Sequence, residues 1–576
     1  MSHEKNEDTL SALKPKLPAI LSPCDHVRRS CYSLMEDELC LTLQKKNHTN
    51  ISGQNKIGKG NDIAVVESEK NYDCVPGHRC VSINKQILHE WIDETVIPSL
   101  VRSRLQQQQE GGEAMKKIPA TAATTTTSQS WDEGDWHYRG TQYQRPWLST
   151  KEQIQNRYER VALYIMTLDT MNFCFWPMSS MDHDSSSNNS SSSISSSTED
   201  VTNSSNSTNR FEYEHFAKAL KLLAQEDDVC THDATSHSIL EMQAREVDDT
   251  TIQQPNDSCI DYNTGDTSFK INKYVVAEYS YALAPQNIIH SMKGRQIWMK
   301  FCSLLVQMIS PCTTNTITTT TTITTANITN IELLPMMEQR WEFWKQLMYT
   351  LLYQYHGSAS YFLSCANQSA DTLVYNILSS FPCFRDSVMD GFKGRWIAFY
   401  KRAQIMVGDL WAALKQVHPT TMSTTTTTTS ENKDPKEFHP TYCQFYDIEK
   451  LTTFADYRIP QLFHSLHILE YTPELHQKIV SQEILWPGCS EEIYIRAATI
   501  VTVDQIVLRI IDWFMNSQTT GVLLQREAQD NDLYKIKLIQ DINAVTMDWY
   551  LWNLGETLDR QGALLYPHHR VRSIYY

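Results

Sequence analysis

The chain has 576 residues, with 51 Lys or Arg against 67 Asp or Glu, which gives a net charge of −16 at neutral pH. Such an acidic chain is a poor candidate for a protein that binds nucleic acid by neutralising its phosphates. No apolar stretch approaches the roughly 18 residues of a membrane-spanning helix. The polar first residues, MSHEKNEDTL, also lack a signal-peptide pattern. We therefore expect a cytoplasmic protein with no membrane partner.

Cysteine usage agrees with an intracellular protein. The 14 cysteines include no CxxC pair, and Cys74 and Cys80 flank His78 without a matching second half of a zinc site. In a chain without a secretion signal such residues are most simply reduced thiols. The sequence therefore predicts no metal and no cofactor.

Low-complexity stretches interrupt the chain. Runs of Gln, Thr, Ser and Asn cannot bury enough apolar surface to offset chain entropy. We interpret them as disordered insertions at surface loops of a single domain, 1–576, that also has a flexible N-terminus, 1–20. The predicted insertions are 104–130, 182–209, 227–268, 312–330 and 416–437.

Between these stretches the pattern is helical. A short sheet is expected only around Cys80–Ile83, and a helix is expected over 156–172, where Val161, Ile165, Leu168 and Asn172 lie on one face. The same 3.6-residue spacing predicts a helix over 338–356. Its large apolar side chains are Trp341, Trp344, Met348, Leu351, Leu352 and Tyr355. Because strands and helices do not alternate, the predicted fold is mainly α.

An aromatic cluster follows the first of these helices. The segment LDTMNFCFWP, 168–177, contains Phe173, Phe175 and Trp176 directly after Asn172. These rings could be ordinary core. Alternatively, they could form a flat wall for a base, with Asn172 bonding to its edge. Spacing alone does not choose between the two.

The segment 394–415 is predicted to be one buried helix. Its main apolar stripe includes Trp396, Phe399 and Tyr400, and Ile405 and Met406 make the opposite side apolar too. Lys401 and Asp409 would then be charges near buried surface, which need partners or a function. We favour a function for Lys401 and a packing ion pair for Asp409.

The motif FADYRIPQ, 454–461, predicts the start of another helix. Pro460 suits a first helical position, with Leu462, Phe463, Leu466 and Leu469 following. Asp456 would lie just before that helix, where free amides and the helix dipole favour a carboxylate. A capping role therefore explains Asp456 from spacing alone, and Tyr457 and Arg458 are equally open.

The last residues predict a docked tail. PHHRVRSIYY, 567–576, is rich in aromatic residues, whereas unanchored termini are usually polar. His569, Arg570 and Arg572 form a small basic patch in an acidic chain. That patch could bind one phosphate, or it could pair with nearby acids.

Eight motifs in this order resemble the queuosine salvage family, the queuosine 5′-phosphate N-glycosylase/hydrolases. The resemblance is nearly continuous over 338–576 outside the Thr run, covers 150–177, and is weaker around 211–225. The motifs are NFCFWP, FPCFRD, GRWIAFYKRAQIMVGDLWAA, FADYRIPQ, YTPEL, EEIYIRAATI, DWYLWNLGE and PHHRVRSIYY.

The resemblance implies an all-helical fold related to helix-hairpin-helix DNA glycosylases. It implies hydrolysis of queuosine 5′-monophosphate to queuine and ribose 5-phosphate, so that queuine can be reinserted into tRNA. The family's carboxylate in FADYR corresponds to Asp456, and its lysine in YKRAQ corresponds to Lys401. Asn172, Phe173 and Trp176 are the corresponding base-binding residues.

Further binding residues are expected around these two. Phe454, Tyr457 and Arg458 share the motif of Asp456 and are candidates for contact with the substrate. Asp548 is a candidate for the polar edge of the base, because a carboxylate accepts hydrogen bonds from an amino-pyrimidinone. His569 and Arg570 are candidates for the 5′-phosphate. Asn553 stands where the family's motif usually has an acid.

Asp456 is expected to stabilise the positive charge that builds on the sugar. Lys401 is expected either to orient Asp456 and keep it ionised or to contact the ribose or the phosphate. Two other functions are compatible with a helical chain. One is excision of bases from nucleic acid, which the net charge disfavours. The other is binding of a modified nucleoside without turnover.

Overall fold

We describe a computed structural model of the chain, which covers residues 22–35, 80–101, 131, 135, 137–139, 151–176, 213–229, 281–309, 334–390, 394–415, 441–516 and 541–576. The predicted N-terminus 1–20 and the predicted insertions 104–130, 182–209, 312–330 and 416–437 lie outside these residues. The predicted insertion 227–268 also lies outside them, except that a helix continues to Val229.

The described residues are mainly helical, as predicted. In chain order the helices are α1 (23–35), α2 (Lys85–Trp91, continued by a π-helical turn, Ile92–Val96), α3 (Lys151–Thr170), α4 (Tyr213–Val229), α5 (Pro285–Ile289), α6 (Ser291–Ile309), α7 (Met337–Gln354), α8 (Ala359–Ser364), α9 (Ala370–Ser380), α10 (Lys401–Lys415), α11 (Arg458–Ser465), α12 (Pro473–Val480), α13 (Ser490–Asn516) and α14 (Ala544–Arg560). Short 3₁₀ turns lie at Pro382–Phe384 and Ile448–Lys450.

Three small two-stranded sheets accompany the helices. Strand β1 (Val81–Ile83) pairs antiparallel with β4 (Leu469–Tyr471), which confirms the short sheet expected near Cys80. Strands β2 (Ser387–Asp390) and β3 (Arg395–Ala398) form an antiparallel hairpin. Strand β5 (Ile484–Leu485) pairs in parallel with β6 (Arg570–Val571), so the tail is docked, as predicted. The second and third sheets were not predicted.

The predicted helix over 394–415 is wrong for its first residues. Gly394 has a φ of +62° and ends the hairpin turn, residues 395–398 form β3, and α10 begins only at Lys401. Trp396 is 53% exposed and does not belong to an apolar stripe. From Lys401 to Leu414 every side chain is buried, so the expectation of a helix buried on all sides is confirmed there.

The helix after FADYR begins earlier and ends earlier than predicted. It starts at Arg458 and ends at Ser465, so Pro460 occupies the third position, Leu466 caps the helix and Leu469 belongs to β4. The first four N–H groups of a helix have no intrahelical partner, so proline is tolerated at the third position as well as the first. The other two predicted helices are confirmed as α3 and α7, although α3 ends before Asn172.

The described core consists of two large hydrophobic clusters and a small third one, formed by Phe173, Cys174 and Trp176. Of the two large clusters, one is built mainly from α3, α4, α6, α7, α9 and α10, and the other from α1, α2, α11, α13 and α14. Among the described helices, none is long and apolar enough to cross a membrane. Rings from both large clusters, such as Phe454 and Tyr576, meet at the cavity described next.

Candidate active site

A cavity lies where the two large hydrophobic clusters meet. It holds about 770 Å³ of empty space, including its open mouth. It brings together residues that are far apart in the chain. The lining residues are Trp131, His137, Asn172, Phe175, Tyr213, Lys401, Ile405, Asp409, Phe454, Asp456, Tyr457, Asp548, Trp549, Trp552, Asn553 and Tyr576. Six of the predicted site residues are among them: Asn172, Lys401, Phe454, Asp456, Tyr457 and Asp548.

Asp456 both lines the cavity and fixes the start of α11. Its Oδ1 accepts the backbone N–H of Arg458 at 2.9 Å. The Arg458 side chain points away from the cavity into a buried ion pair, with its Nε 2.6 Å from Glu556 Oε1 and its Nη1 3.0 Å from Asp559 Oδ2. Asp456 therefore makes the capping contact and also lines the cavity.

Lys401 is the first residue of α10 and reaches the cavity from a buried position. Its side chain is only 4% exposed. Burial lowers the pKa of Lys401, and the negative charge of Asp456 opposes that shift. Lys401 and Asp456 are therefore electrostatically linked across one small volume, although they come from separate segments.

Asp548 is the second carboxyl group near Asp456. Asp548 lies on α14, and the N-terminus of this helix is capped by the Asn543 side chain, which accepts hydrogen bonds from the N–H groups of Val545 and Thr546. Asp548 Oδ2 accepts hydrogen bonds from the Thr453 hydroxyl at 2.5 Å and from the Phe454 N–H at 2.7 Å.

Burial and the negative charge of Asp456 raise the pKa of Asp548 to about 8. Asp548 therefore keeps its proton to a higher pH than an ordinary aspartic acid does. Two neighbouring carboxyl groups can divide acid and base roles between them.

The aromatic wall differs from the predicted one. Phe175 lines the cavity, whereas Phe173 is fully buried with the Arg340 guanidinium 4.3 Å from its ring centroid. Trp176 is also buried outside the lining, with Arg570 over its ring at 5.9 Å. Cys174 has a φ of +54°, and this left-handed residue turns the chain between the two phenylalanines.

Asp409, two turns after Lys401 on α10, also lines the cavity. Its Oδ1 accepts the indole N–H of Trp131 at 2.8 Å, and the Trp131 ring stacks on His137 with centroids 4.4 Å apart. Asp409, for which the sequence favours a packing ion pair, thus lines the cavity and orients an aromatic side chain of its wall.

A glycine of α10 lets an aromatic ring lie close to the helix. A Cβ on Gly408 would come within 2.9 Å of Phe454 Cζ and 3.2 Å of Val545 Cγ1. These are closer than side-chain carbons normally approach. The Phe454 ring therefore keeps its place in the lining because residue 408 has no side chain.

The tail reaches the cavity through Tyr576 and not through its basic residues. His569 is buried, and its Nε2 lies 2.5 Å from the Tyr576 hydroxyl. Arg570 belongs to β6. Neither His569 nor Arg570 lines the cavity, so their contact with a phosphate stays a prediction.

Several lining residues were not predicted. Trp549, Trp552 and Asn553 follow Asp548 on α14, and the helical spacing of these four residues could have indicated them. Tyr213, Trp131 and His137 come from distant segments, and no local pattern points to them.

Asp456, Asp548 and the buried Lys401 thus lie together in an aromatic cavity on a mainly helical fold. Residues 303–429 and 436–576 match the family described as "Queuosine salvage protein". The match therefore covers 268 of the 576 residues, 127 in the first segment and 141 in the second, and over these two segments the chain is similar to that family.

The similar curated proteins carry one name, queuosine 5′-phosphate N-glycosylase/hydrolase. The one from Nematostella vectensis is 26% identical over 302 residues, which cover 51% of this chain and 76% of that protein. The Mus musculus protein is 32% identical over 246 residues, 42% of this chain and 59% of the relative. The Sphaerobacter thermophilus protein is 30% identical over 243 residues, again 42% and 59%. The matched part is thus less than two thirds of the last two relatives.

Proposed function

We propose that the chain hydrolyses the N-glycosidic bond of queuosine 5′-monophosphate, and of queuosine where it is available, and releases queuine for reuse in tRNA. The observation that carries the proposal is the grouping of Asp456, Lys401 and Asp548 in one aromatic cavity. The activity after which the similar proteins are named supports the same reaction.

The sugar side of the reaction is assigned to Asp456. As the bond between the anomeric carbon and the base nitrogen breaks, positive charge develops on the sugar, and a carboxylate beside it lowers the energy of that state. Water then adds to the anomeric carbon and gives a proton to Asp456. Lys401 faces Asp456 across the cavity and attracts its carboxylate by charge.

The base side is assigned to Asp548. The electron pair of the broken bond stays on the departing base, which must take up a proton. A 7-deazapurine lacks the ring nitrogen at position 7 that many glycosylases protonate, so the proton has to enter at another polar atom of the base. Asp548, with its pKa of about 8, holds such a proton at neutral pH.

The rest of the cavity suits a flat base. Phe175, Tyr213 and Trp552 provide aromatic surface, and stacking of one base on such a ring contributes roughly 1–3 kcal/mol. Among the described lining residues Lys401 is the one lysine or arginine, so the cavity favours the base and sugar over a phosphate-rich strand. The free cysteines of the described part fit a cytoplasmic site of action.

The test is to incubate the purified chain separately with queuosine 5′-monophosphate, queuosine and guanosine 5′-monophosphate, and to measure free base by mass spectrometry. We expect queuine and ribose 5-phosphate from the first, and the queuosine arm reports whether the phosphate is needed. Stoichiometric retention of the nucleotide without ribose 5-phosphate would instead identify a binding protein. Cleavage of damaged duplex DNA, with none of the free nucleotide, would identify a nucleic-acid glycosylase.

A further inference from the structure

Arg496 is a buried arginine of α13 that lies outside the cavity lining. Its guanidinium binds Asp386 through two bonds, with Nη1 3.0 Å from Oδ1 and Nη2 2.5 Å from Oδ2. Both side chains are almost fully buried, at 2% and 4% exposure. The pair therefore has the fork-to-fork geometry that fixes both orientation and distance.

Asp386 in turn holds the start of the helix that carries Lys401. Its Oδ2 accepts the Lys401 N–H at 3.2 Å, and its backbone oxygen accepts the N–H groups of Phe399 at 2.9 Å and Tyr400 at 3.0 Å. Tyr400 has a φ of +49°, which an L-residue adopts only when its surroundings impose it. Asp386 thus accepts hydrogen bonds from three successive N–H groups. The turn at 399–401 that these bonds hold determines the position of Lys401 in the cavity.

The same guanidinium also reaches the segment of Asp456. Arg496 Nε donates to the Ala455 oxygen at 3.1 Å, one residue before Asp456. The Phe399 ring lies against the guanidinium, 4.0 Å from its central carbon. One side chain therefore contacts both backbone segments that present the reacting groups.

Only arginine can make this set of contacts. Its planar group presents donors in fixed directions, so it can bind a carboxylate with two nitrogens and a carbonyl with the third. Lysine keeps the charge but offers a single nitrogen on a flexible stem. A buried ion pair is weak evidence for a gain in folding stability. We therefore explain the Arg496–Asp386 pair by the geometry that it imposes on its neighbours.

We propose that Arg496 is a positioning residue, which through Asp386 and the Ala455 carbonyl sets the placement of Lys401 relative to Asp456. The inference deepens the proposed function and rests on it for its effect on turnover. Its structural part, the coupling of the turn at 399–401 to the segment at 455–458, can be measured without any substrate.

The first test compares Arg496→Lys with Arg28→Lys. Arg28 is a matched control, because it also pairs with an acid of α13, Asp504 at 3.1 Å, and donates to the Lys450 and Leu451 oxygens. Small misplacement of reacting groups costs on the order of 100-fold in rate. We expect kcat of Arg496→Lys to fall by about that factor with KM within about threefold, whereas Arg28→Lys keeps kcat within about threefold. Equal kcat values in the two variants would overturn the proposal.

The second test is hydrogen exchange on the same proteins. In Arg496→Lys the amides of 399–401 and of 455–458 should both exchange faster, and in Arg28→Lys neither should change. If wild type releases no queuine but both segments respond, the proposed function fails and the coupling stands. If turnover is found but the two segments do not respond together, the coupling fails.

Asp386→Asn covers the case in which Arg496→Lys does not fold. Asparagine keeps an acceptor for the Lys401 N–H but weakens the bond to Arg496. We expect the same pattern at about one tenth of the size, a kcat loss of roughly tenfold with both segments exchanging faster. Unchanged kcat and exchange in a folded Asp386→Asn would contradict the proposal.

Discussion

The acidic side of the cavity, which carries Lys401 and Asp456, and the aromatic side, which carries Asn172 and Phe175, are held in place by different contacts. On the acidic side, Arg496 pairs with the carboxylate of Asp386 next to the segments of Lys401 and Asp456. On the aromatic side, Arg340 and Arg402 bind mainly backbone carbonyls. Arg340 donates to the Met171, Phe173 and Cys174 oxygens, and Arg402 donates to the Thr170 oxygen at 2.6 Å and the Cys383 oxygen at 2.5 Å.

This difference separates the residues that can take part in the reaction from the residues that shape the cavity wall. The carbonyls at the C-terminal end of α3 carry partial negative charge, so two buried guanidinium groups can fix the turn that aims Asn172 and Phe175. Burial, with a smaller effect from the charge of Arg402, lowers the pKa of Arg340 to about 9, so it stays charged at neutral pH. The acidic side holds the groups that can exchange protons during the reaction. We therefore expect changes there to alter kcat, and changes on the aromatic side to alter KM.

The largest effect is expected for Asp456→Asn. Without the negative charge the developing sugar cation is not stabilised, and turnover should fall by roughly 10³- to 10⁵-fold. Asparagine can still accept the Arg458 N–H, so the start of α11 and the melting temperature should be preserved. Turnover is measured by queuine release. Near-wild-type turnover would leave Asp456 as a helix cap only.

An intermediate effect is expected from pH. Under the proposed mechanism Asp548 gives its proton to the base, and its pKa of about 8 means that the proton is present below this pH and lost above it. The rate should therefore be steady from neutral pH to about 8 and then fall, by about tenfold per pH unit.

Asp548→Asn provides the control for this pH profile. It should lower kcat by roughly 100-fold, since general acid catalysis contributes about that much, and it should remove the decline above pH 8. The profile is measured at saturating nucleotide. A decline that persists unchanged in Asp548→Asn would assign it to another group.

The smallest effect is expected on the aromatic side. Phe175→Leu removes a ring from the cavity wall, and the loss of one stacking contact should raise KM by about tenfold while kcat stays within about threefold. Phe173→Leu is the matched control, because it removes a buried ring two residues away that does not line the cavity. It should lower the melting temperature and leave KM within about twofold. A raised KM in Phe173→Leu with an unchanged KM in Phe175→Leu would instead show that Phe173 contacts the substrate.

The parts of the structure that depend on short-range periodicity were predictable. Helix α7 follows from its apolar spacing, and the docked tail follows from its aromatic composition. The hairpin before Lys401 was missed, because RWIAF can place apolar side chains on one face of a helix or alternate them along a strand. Only the turn at Gly394 and the bonds to Asp386 decide between the two.

The candidate site was predictable to a smaller extent. Spacing alone explained Asp456 as a cap, and the motif resemblance was needed to select it. The sequence could not show that Phe175 lines the cavity in place of Phe173. This placement depends on the left-handed conformation of Cys174, which cysteine does not favour. Tyr213 and Trp131 enter the cavity through long-range packing, which no local pattern encodes.

Gly408 offers a simple route to altered selectivity in evolution or engineering. An alanine there would force the Phe454 ring to move, because the new methyl group would meet it at 2.9 Å. The ring already borders the cavity, so a change of one carbon atom on α10 would reshape the ligand space. Position 408 is therefore a place to seek designed variants that accept bases of different bulk.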